Sequence, residues 1–92
     1  MSVDIEHDAA RHRYLGRIDG RVATSLDYAD DGAVVSMTRT FTNPEFRGQG
    51  LAGRITAHAV DEAEAAGRRV RAMCWYVADW FEAHPERAHL LA

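Results

Sequence analysis

The chain lacks the material for several common kinds of site. A single cysteine, Cys74, among 92 residues excludes an internal disulfide framework and a metal site of several thiolates. His7, His12, His58 and His89 show no metal-ligand spacing and are expected at the surface. No apolar run is long enough to span a bilayer, and the opening MSVDIEHDAARHRY is polar and mixed in charge, unlike a secretory leader. These absences predict a cytoplasmic protein without membrane contact. Nor is there an excess of positive charge. A formal net charge of −3 argues against nucleic-acid binding driven by overall charge. Linkers, internal repeats and low-complexity stretches are missing too, and the length suits one small domain over residues 1–92.

What is present reads as a soluble globular fold that begins as sheet. His7 to Arg11 reads as a loop or frayed turn. His12 to Ile18 is short and extended, with Tyr14 and Ile18 on one face and Arg13 and Arg17 on the other. Asp19-Gly20 is a two-residue hairpin signal of the type I′ kind. Arg21 to Tyr28 returns as a second strand, and Asp30-Asp31-Gly32 makes the next turn. Ala33 to Thr42 forms a third strand, with Val35, Met37, Arg39 and Phe41 on alternate positions. The texture changes after Pro44. From Leu51 to Ala66, apolar residues at Leu51, Ala52, Ile55, Ala59, Ala63 and Ala66 cover one face of a helix, and Gly67 stops it. A Glu64–Arg68 pair is expected across that end. Arg69 to Trp75 reads as a fourth strand, Ala78 to Ala83 as a short helix halted before Pro85, and Ala88 to Ala92 as a final turn packing Leu90 and Leu91. The order β-β-β-α-β-α predicts an α+β fold, a mixed sheet with helices packed on it.

The chemistry concentrates in TFTNPEFRGQGLAGR, Thr40 to Arg54. A strand leads through a glycine-rich turn into a helix start, the arrangement that offers main-chain N–H groups to a phosphate. Arg39, Arg47 and Arg54 bracket this turn against one acid, Glu45, so a small anionic ligand fits. Gly48, Gly50 and Gly53 satisfy G-x-G-x-x-G, but a meander precedes them and no acid lies near Met73 to Tyr76, so the dinucleotide fold is rejected. A nucleotide-triphosphate loop is rejected as well, for want of a Lys-Ser or Lys-Thr after the second glycine.

The segment Glu45-Phe46-Arg47-Gly48-Gln49-Gly50 resembles the Q/R-x-x-G-x-G/A signature of the GNAT superfamily of acetyl-CoA-dependent N-acyltransferases, with Glu45 replacing the leading Gln or Arg. The likeness extends over nearly the whole chain to the short, single-domain YjdJ-like group. Tyr14 in the first strand, Asp19-Gly20, Thr40 to Pro44, Cys74-Trp75-Tyr76 and His84-Pro85 carry it, in that order. The resemblance implies a GNAT-like fold: antiparallel meander, glycine turn, long helix, splayed strand and short C-terminal helix. It implies acetyl-CoA as the cofactor, with the pyrophosphate held by N–H groups across Phe46, Arg47, Gly48, Gln49, Gly50, Leu51 and Ala52. The main chain of Phe41 and Thr42 would meet the pantetheine arm.

On the catalytic side the resemblance implies Cys74 near the incoming thioester, either lining the tunnel or acylated as a nucleophile; a Cys74–His84 pair is a weak signal. The position where many relatives carry a proton-donating tyrosine falls on Trp80, leaving Tyr76 as the nearest phenol. Glu45, His7 and Tyr76 are the candidate bases. Two functions stay open: an N-acetyltransferase in which an amine, small or on a protein, attacks the thioester directly, and an acyl-CoA-binding module that acts through a protein partner. A third reading takes Trp75, Tyr76, Trp80 and Phe81 as a partner surface. Either a monomer or a weak homodimer is expected.

Overall fold

Side chains that alternate between buried and exposed positions organise the first half of the chain as sheet. The computed structural model describes residues 2–92. Its strands are β1 (Asp4–Asp8), β2 (Arg13–Ile18), β3 (Arg21–Asp30), β4 (Val34–Thr42) and β5 (Arg69–Ala72). They lie in chain order in one sheet, antiparallel except for the parallel β4–β5 pair. Helix α1 (Leu51–Ala65) makes the crossover between β4 and β5, and α2 (Trp75–Ala83) follows β5. A 3-10 turn at Pro85–Leu90 ends the fold and buries Leu90, while Leu91 bridges to Val70. The α+β architecture expected from the sequence is the one observed.

The hairpin at Asp19-Gly20 has positive φ at both residues, as its turn type requires. Tyr14 and Ile18 are buried and Arg13 and Arg17 are not, so β2 presents its faces as its pattern predicts. In β4 the alternation breaks. The register with β3 shifts between Asp27 and Tyr28, leaving Thr38 as an extra residue. Val35 and Met37 therefore face the helices, whereas Arg39 and Phe41 emerge exposed on the other side.

One core lies between the sheet and the helices. Ile55, Ala59, Val60 and Ala63 of α1 meet Leu26, Met37 and Val70 of the sheet and Val77, Trp80 and Phe81 of α2. Burying each large aliphatic side chain there contributes about 1.5–3 kcal/mol. The buried face of α1 also includes Thr56 and Val60, beyond the alanine stripe. Thr56 satisfies its hydroxyl by donating to the Ala52 carbonyl at 2.8 Å.

Four expectations need correction. Of the loop expected from His7 to Arg11 only Ala9–Arg11 is a turn, and the preceding Asp4–Asp8 is a strand that pairs with β2. It is tied to the last turns of α1 through Glu62, whose carboxylate takes Tyr14 Oη at 3.2 Å, His7 Nδ1 at 3.1 Å and His58 Nε2 at 2.6 Å. Burial, then the Glu62 carboxylate, pushes the Tyr14 phenol up, so it remains a donor. Strand β5 stops at Ala72 and α2 begins at Trp75, three residues earlier than Ala78, so Cys74 and Tyr76 are not strand residues. The Glu64–Arg68 pair does not form. Arg68 holds Asp30 at 2.8 Å, and Glu64 instead holds Arg87 at 3.0 Å. Trp75, finally, is exposed while Trp80 and Phe81 are core, which divides the aromatic cluster.

Gly16 in β2 has no room for a side chain. A Cβ there would meet Thr24 Cγ2 at 2.7 Å and Val3 Cγ2 at 3.0 Å. Gly16→Ala is therefore expected to destabilise the protein by about 1–3 kcal/mol, read from urea midpoints. An unchanged midpoint would mean that the β2–β3 contact is looser than described.

Candidate functional site

Two features on the helix side of the sheet frame the site: a turn of free N–H groups and a fork between two strands. The turn comes first in the chain. Pro44–Phe46 forms a 3-10 turn capped by Asn43, whose side chain accepts the Glu45 N–H at 3.1 Å. The Phe46 N–H goes to the Asn43 carbonyl and the Arg47 N–H to the Pro44 carbonyl, so these two are engaged internally. Gly48 and Gly50 then take φ of +82° and +70°, a left-handed conformation that a Cβ would strain. Gly50 caps α1 with no side-chain bond, and the first internal helix bond is Arg54 N–H to the Gly50 carbonyl at 3.1 Å. The N–H groups of Gly48, Gln49, Gly50, Leu51, Ala52 and Gly53 have no acceptor among the described residues. Six donors in sequence at the positive end of a helix make a cradle of the kind that can receive an anion.

Leu51 is buried and anchors the turn with Phe46 against Ile18 and Ala23. Arg21 lies over the Phe46 ring at 5.4 Å and pairs with Glu45 at 2.6 Å. Glu45 is thus occupied on the hairpin side, and His7 is held by Glu62 near the far end of α1. Arg47 and Arg54 are exposed and have no carboxylate within ion-pair distance among the described residues.

The fork begins at Met37. Its carbonyl accepts both the Met73 N–H at 3.0 Å and the Cys74 N–H at 3.1 Å, and β4–β5 pairing extends no further. Beyond it, Phe41 pairs with Ser25 of β3, and Thr42 with Thr24, whose hydroxyl lies 3.2 Å from that of Thr42 and donates to the Phe41 carbonyl. Cys74 stands at the fork as the residue that caps α2. Thr40 Oγ1 is 3.7 Å from its sulfur. Partial burial pushes the thiol up, but the Val77 N–H, the Thr40 hydroxyl and the N–H groups of Tyr76 and Thr40 outweigh it, and the net pKa is below that of an ordinary cysteine.

Between turn and fork runs a cleft of about 450 Å³, lined on α1 by Gly50, Gly53, Arg54 and Ala57 and on the other side by Tyr76, Asp79, Trp80, Ala83 and His84. A Cβ at Gly53 would lie 3.4 Å from the Tyr76 hydroxyl, so that glycine lets the phenol rest on the α1 backbone. His84 stacks on Trp80 at 4.1 Å and its Nδ1 faces the Trp80 carbonyl at 2.7 Å. A carbonyl only accepts, so Nδ1 carries the proton and Nε2 is left as an acceptor. The sequence reading missed Thr40 as the partner of Cys74 and the lining residues Ala57, Asp79 and Ala83. The small residues at 50, 53 and 57, one stripe of α1, were the available signal for a close approach.

No helix among the described residues is long and apolar enough to cross a membrane. Over 87 residues the chain is 25% identical to Protein NATD1 of Xenopus tropicalis, covering 91% of this chain and 79% of that one. Its fold matches a GNAT family acetyltransferase from Elizabethkingia anophelis solved with acetyl-CoA bound (TM-score 0.57, 13% identity, 63% of this chain and 39% of that one). It also matches N-acetylglutamate synthase from Neisseria gonorrhoeae, complexed with coenzyme A and N-acetyl-glutamate (TM-score 0.61, 15% identity, 79% of this chain and 18% of that one). The chain thus spans well under half of either solved protein. Residues 13–90 match the model of the GCN5-related N-acetyl-transferase family, and the chain belongs to that family.

Proposed function

We propose that the protein is an acetyl-CoA-dependent N-acetyltransferase. The observation that carries the reading is the run of six free N–H groups from Gly48 to Gly53, ending a strand and opening α1. A pyrophosphate needs several convergent donors, and a helix start adds its positive end. Arg47 and Arg54 would neutralise phosphate charge at the rim of the cradle. The fork supports the pantetheine end, because the main chain of β4 beyond Met37 has no β5 partner and can pair with an amide-bearing arm. Two proteins of the same fold were solved with acetyl-CoA or coenzyme A bound, which supports the same ligand here.

When bound, acetyl-CoA would supply the thioester that an amine attacks, with the thiolate as the leaving group. In this reading the amine, as its free base, would attack directly, N–H groups at the fork would polarise the carbonyl as charge develops, and the proton shed by the nitrogen would replace the one that Tyr76 gives to the thiolate. Tyr76, on the first turn of α2 and lining the cleft, is the proton donor to the thiolate. The phenol is thus available on the helix, four residues before Trp80. Cys74 lines the fork. A second reading makes Cys74 the nucleophile, and a specific observation favours it: its thiol stands at the start of α2 with the Thr40 hydroxyl 3.7 Å away, in surroundings that hold its pKa below that of an ordinary cysteine. A domain that binds acyl-CoA without transferring is the outcome to distinguish from both.

Four measurements test this. Coenzyme A at about a hundred times its Kd should stabilise the fold by about 2.7 kcal/mol. For a domain of this size, at about 4–8 °C per kcal/mol, that raises Tm by roughly 11–22 °C. Arg54→Glu should shrink that shift, and its absence in the wild type would sink the cofactor reading. Tyr76→Phe should keep the shift and lower kcat by about a hundredfold; an unchanged kcat removes the phenol from proton transfer. Without acceptor, the direct route leaves the protein's intact mass unchanged by acetyl-CoA, whereas one acetyl group gained by the wild type and lost in Cys74→Ser establishes the covalent route. In either case alkylation of Cys74 should titrate below the ordinary value of about 8.5, and Thr40→Val should move it upward.

A further inference from the structure

We infer that the rim around the β4–β5 fork is a docking face for an extended polypeptide that carries its amine beside apolar side chains and carboxylates. What the docked amine meets rests on the acetyltransferase reading; the face itself stands on separate observations. Among the described residues three large apolar side chains are exposed, Phe41 at 43%, Met73 at 61% and Trp75 at 75%, and all three border the fork. Phe41 follows Thr40, which contacts Cys74, and Met73 and Trp75 flank Cys74 in the chain. Residues of β4, of α2 and of the link between β5 and α2 thus flank the Thr40–Cys74 contact with their apolar surface uncovered, Phe41 on the helix-free side of β4. A soluble domain ordinarily leaves such groups scattered, and their grouping marks a contact surface.

Charge points to the same partner. All 11 basic side chains are arginine. Among the described residues Arg11, Arg13, Arg17, Arg21, Arg68 and Arg87 hold carboxylates. Of those that hold none, Arg47 and Arg54 flank the glycine turn, and Arg39, Arg69 and Arg71 sit on β4 and β5 beside the rim. Arg39 shares the helix-free side of β4 with Phe41, and Asp27, its cross-strand neighbour, is taken by Arg13 at 3.6 Å. Arg71 donates to Ser36 Oγ at 3.4 Å, with Asp31 near enough to feel its charge. Arg69 donates to the Leu91 carbonyl. A protein of net charge −3 therefore presents a positive, apolar margin here, and the complementary partner bears carboxylates.

An extended peptide fits this face better than a free amine. The large cleft opens between α1 and α2, on the helix side of the sheet, whereas Arg39 and Phe41 face the other side. A peptide supplies side chains to Trp75 and Met73 and carboxylates to Arg39 and Arg71, whereas a polyamine carries neither. A second copy of the chain has no lysine side chain to present.

The test is direct binding. A fluorescein-labelled peptide with one lysine between leucines, and aspartates beyond them, is titrated with the full chain by fluorescence anisotropy. The coenzyme A thermal shift is measured on the same samples. Saturable binding is expected, weakened about tenfold or more by Arg39→Glu with Arg71→Glu and by Met73→Ser with Trp75→Ser. The coenzyme A shift should persist in both variants, since Arg39 lies on the helix-free side of β4, away from the glycine turn it was expected to bracket, and Arg71, Met73 and Trp75 are not assigned to the cofactor. The charge-reversed variant should prefer the peptide with arginines in place of aspartates. Equal affinity for glycine-substituted or charge-reversed peptides overturns the docking face. So does a wild-type dimer that Trp75→Ser dissociates in sedimentation, which would give the face to a second copy. Peptide binding that follows this pattern without any coenzyme A shift would sustain the face and overturn the acetyltransferase reading instead.

Discussion

The Met37 carbonyl accepts two N–H groups, those of Met73 and Cys74, and the parallel pairing of β4 with β5 ends there. Much of the candidate site depends on this ending. Had the ladder continued, the main chain of β4 from Thr38 to Thr42 would be satisfied by β5 and unavailable to a ligand. Because it stops, the chain turns immediately into α2, and Cys74 becomes the residue capping that helix. The bulge at Thr38 acts from the other side. It bonds within the β3–β4 pair, the Thr38 hydroxyl donating to the Asp27 carbonyl, and turns Thr40 toward Cys74 while Arg39 and Phe41 face away.

The turn and the fork are coupled through the rigid elements between them. Helix α1 begins at the N–H cradle and packs its buried face on β2, β3, β4 and β5, so the cradle's position is set by the core. Helix α2 begins at the fork and meets α1 where Gly53 leaves room for Tyr76. Arg87, beyond α2, pairs with Asp61 and Glu64 of α1, each at 3.0 Å, and lies over Trp80. These exposed pairs contribute little energy individually. Their role is geometric: they hold the C-terminal turn against α1, and with it His84 on its stacked partner Trp80.

The meander, the glycine turn and α1 were legible because each rests on local chemistry: alternation in β2 and β3, Asp19-Gly20, Gly48 and Gly50, and an apolar stripe ending at Gly67. Strand β1 was not, since DIEHD offers one apolar residue, Ile5, and its pairing is decided by the sheet edge available to it. The strand read as Arg69 to Trp75 ran on through Cys74 and Trp75 because aromatic residues favour strands in isolation. Tertiary context overrode that preference: β5 runs out of partner at Met37. The same error hid the phenol on α2, because the helix was started three residues late. The bulge at Thr38 has no signature in TRTFT, so nothing in that stretch separates the faces of Thr40 and Phe41.

The same geometry explains why the two sides of the sheet differ so much in what they leave exposed. Both helices cover one side, and the core cluster they complete includes Leu26, Met37 and Val70. The other side is kept soluble by alternating charge, as where Arg13 holds Asp27 and Arg17 holds Glu6 at 3.1 Å. That pattern lapses only toward β4 and β5, where arginines outnumber carboxylates and Phe41 and Met73 are uncovered. Solubility alone would favour an acid opposite each of those arginines and a polar residue at position 75. Their absence beside the thiol of Cys74 ties the exposed rim to the chemistry of the fork, since an acceptor chain lying on it would run past the sulfur and the open edge of β4.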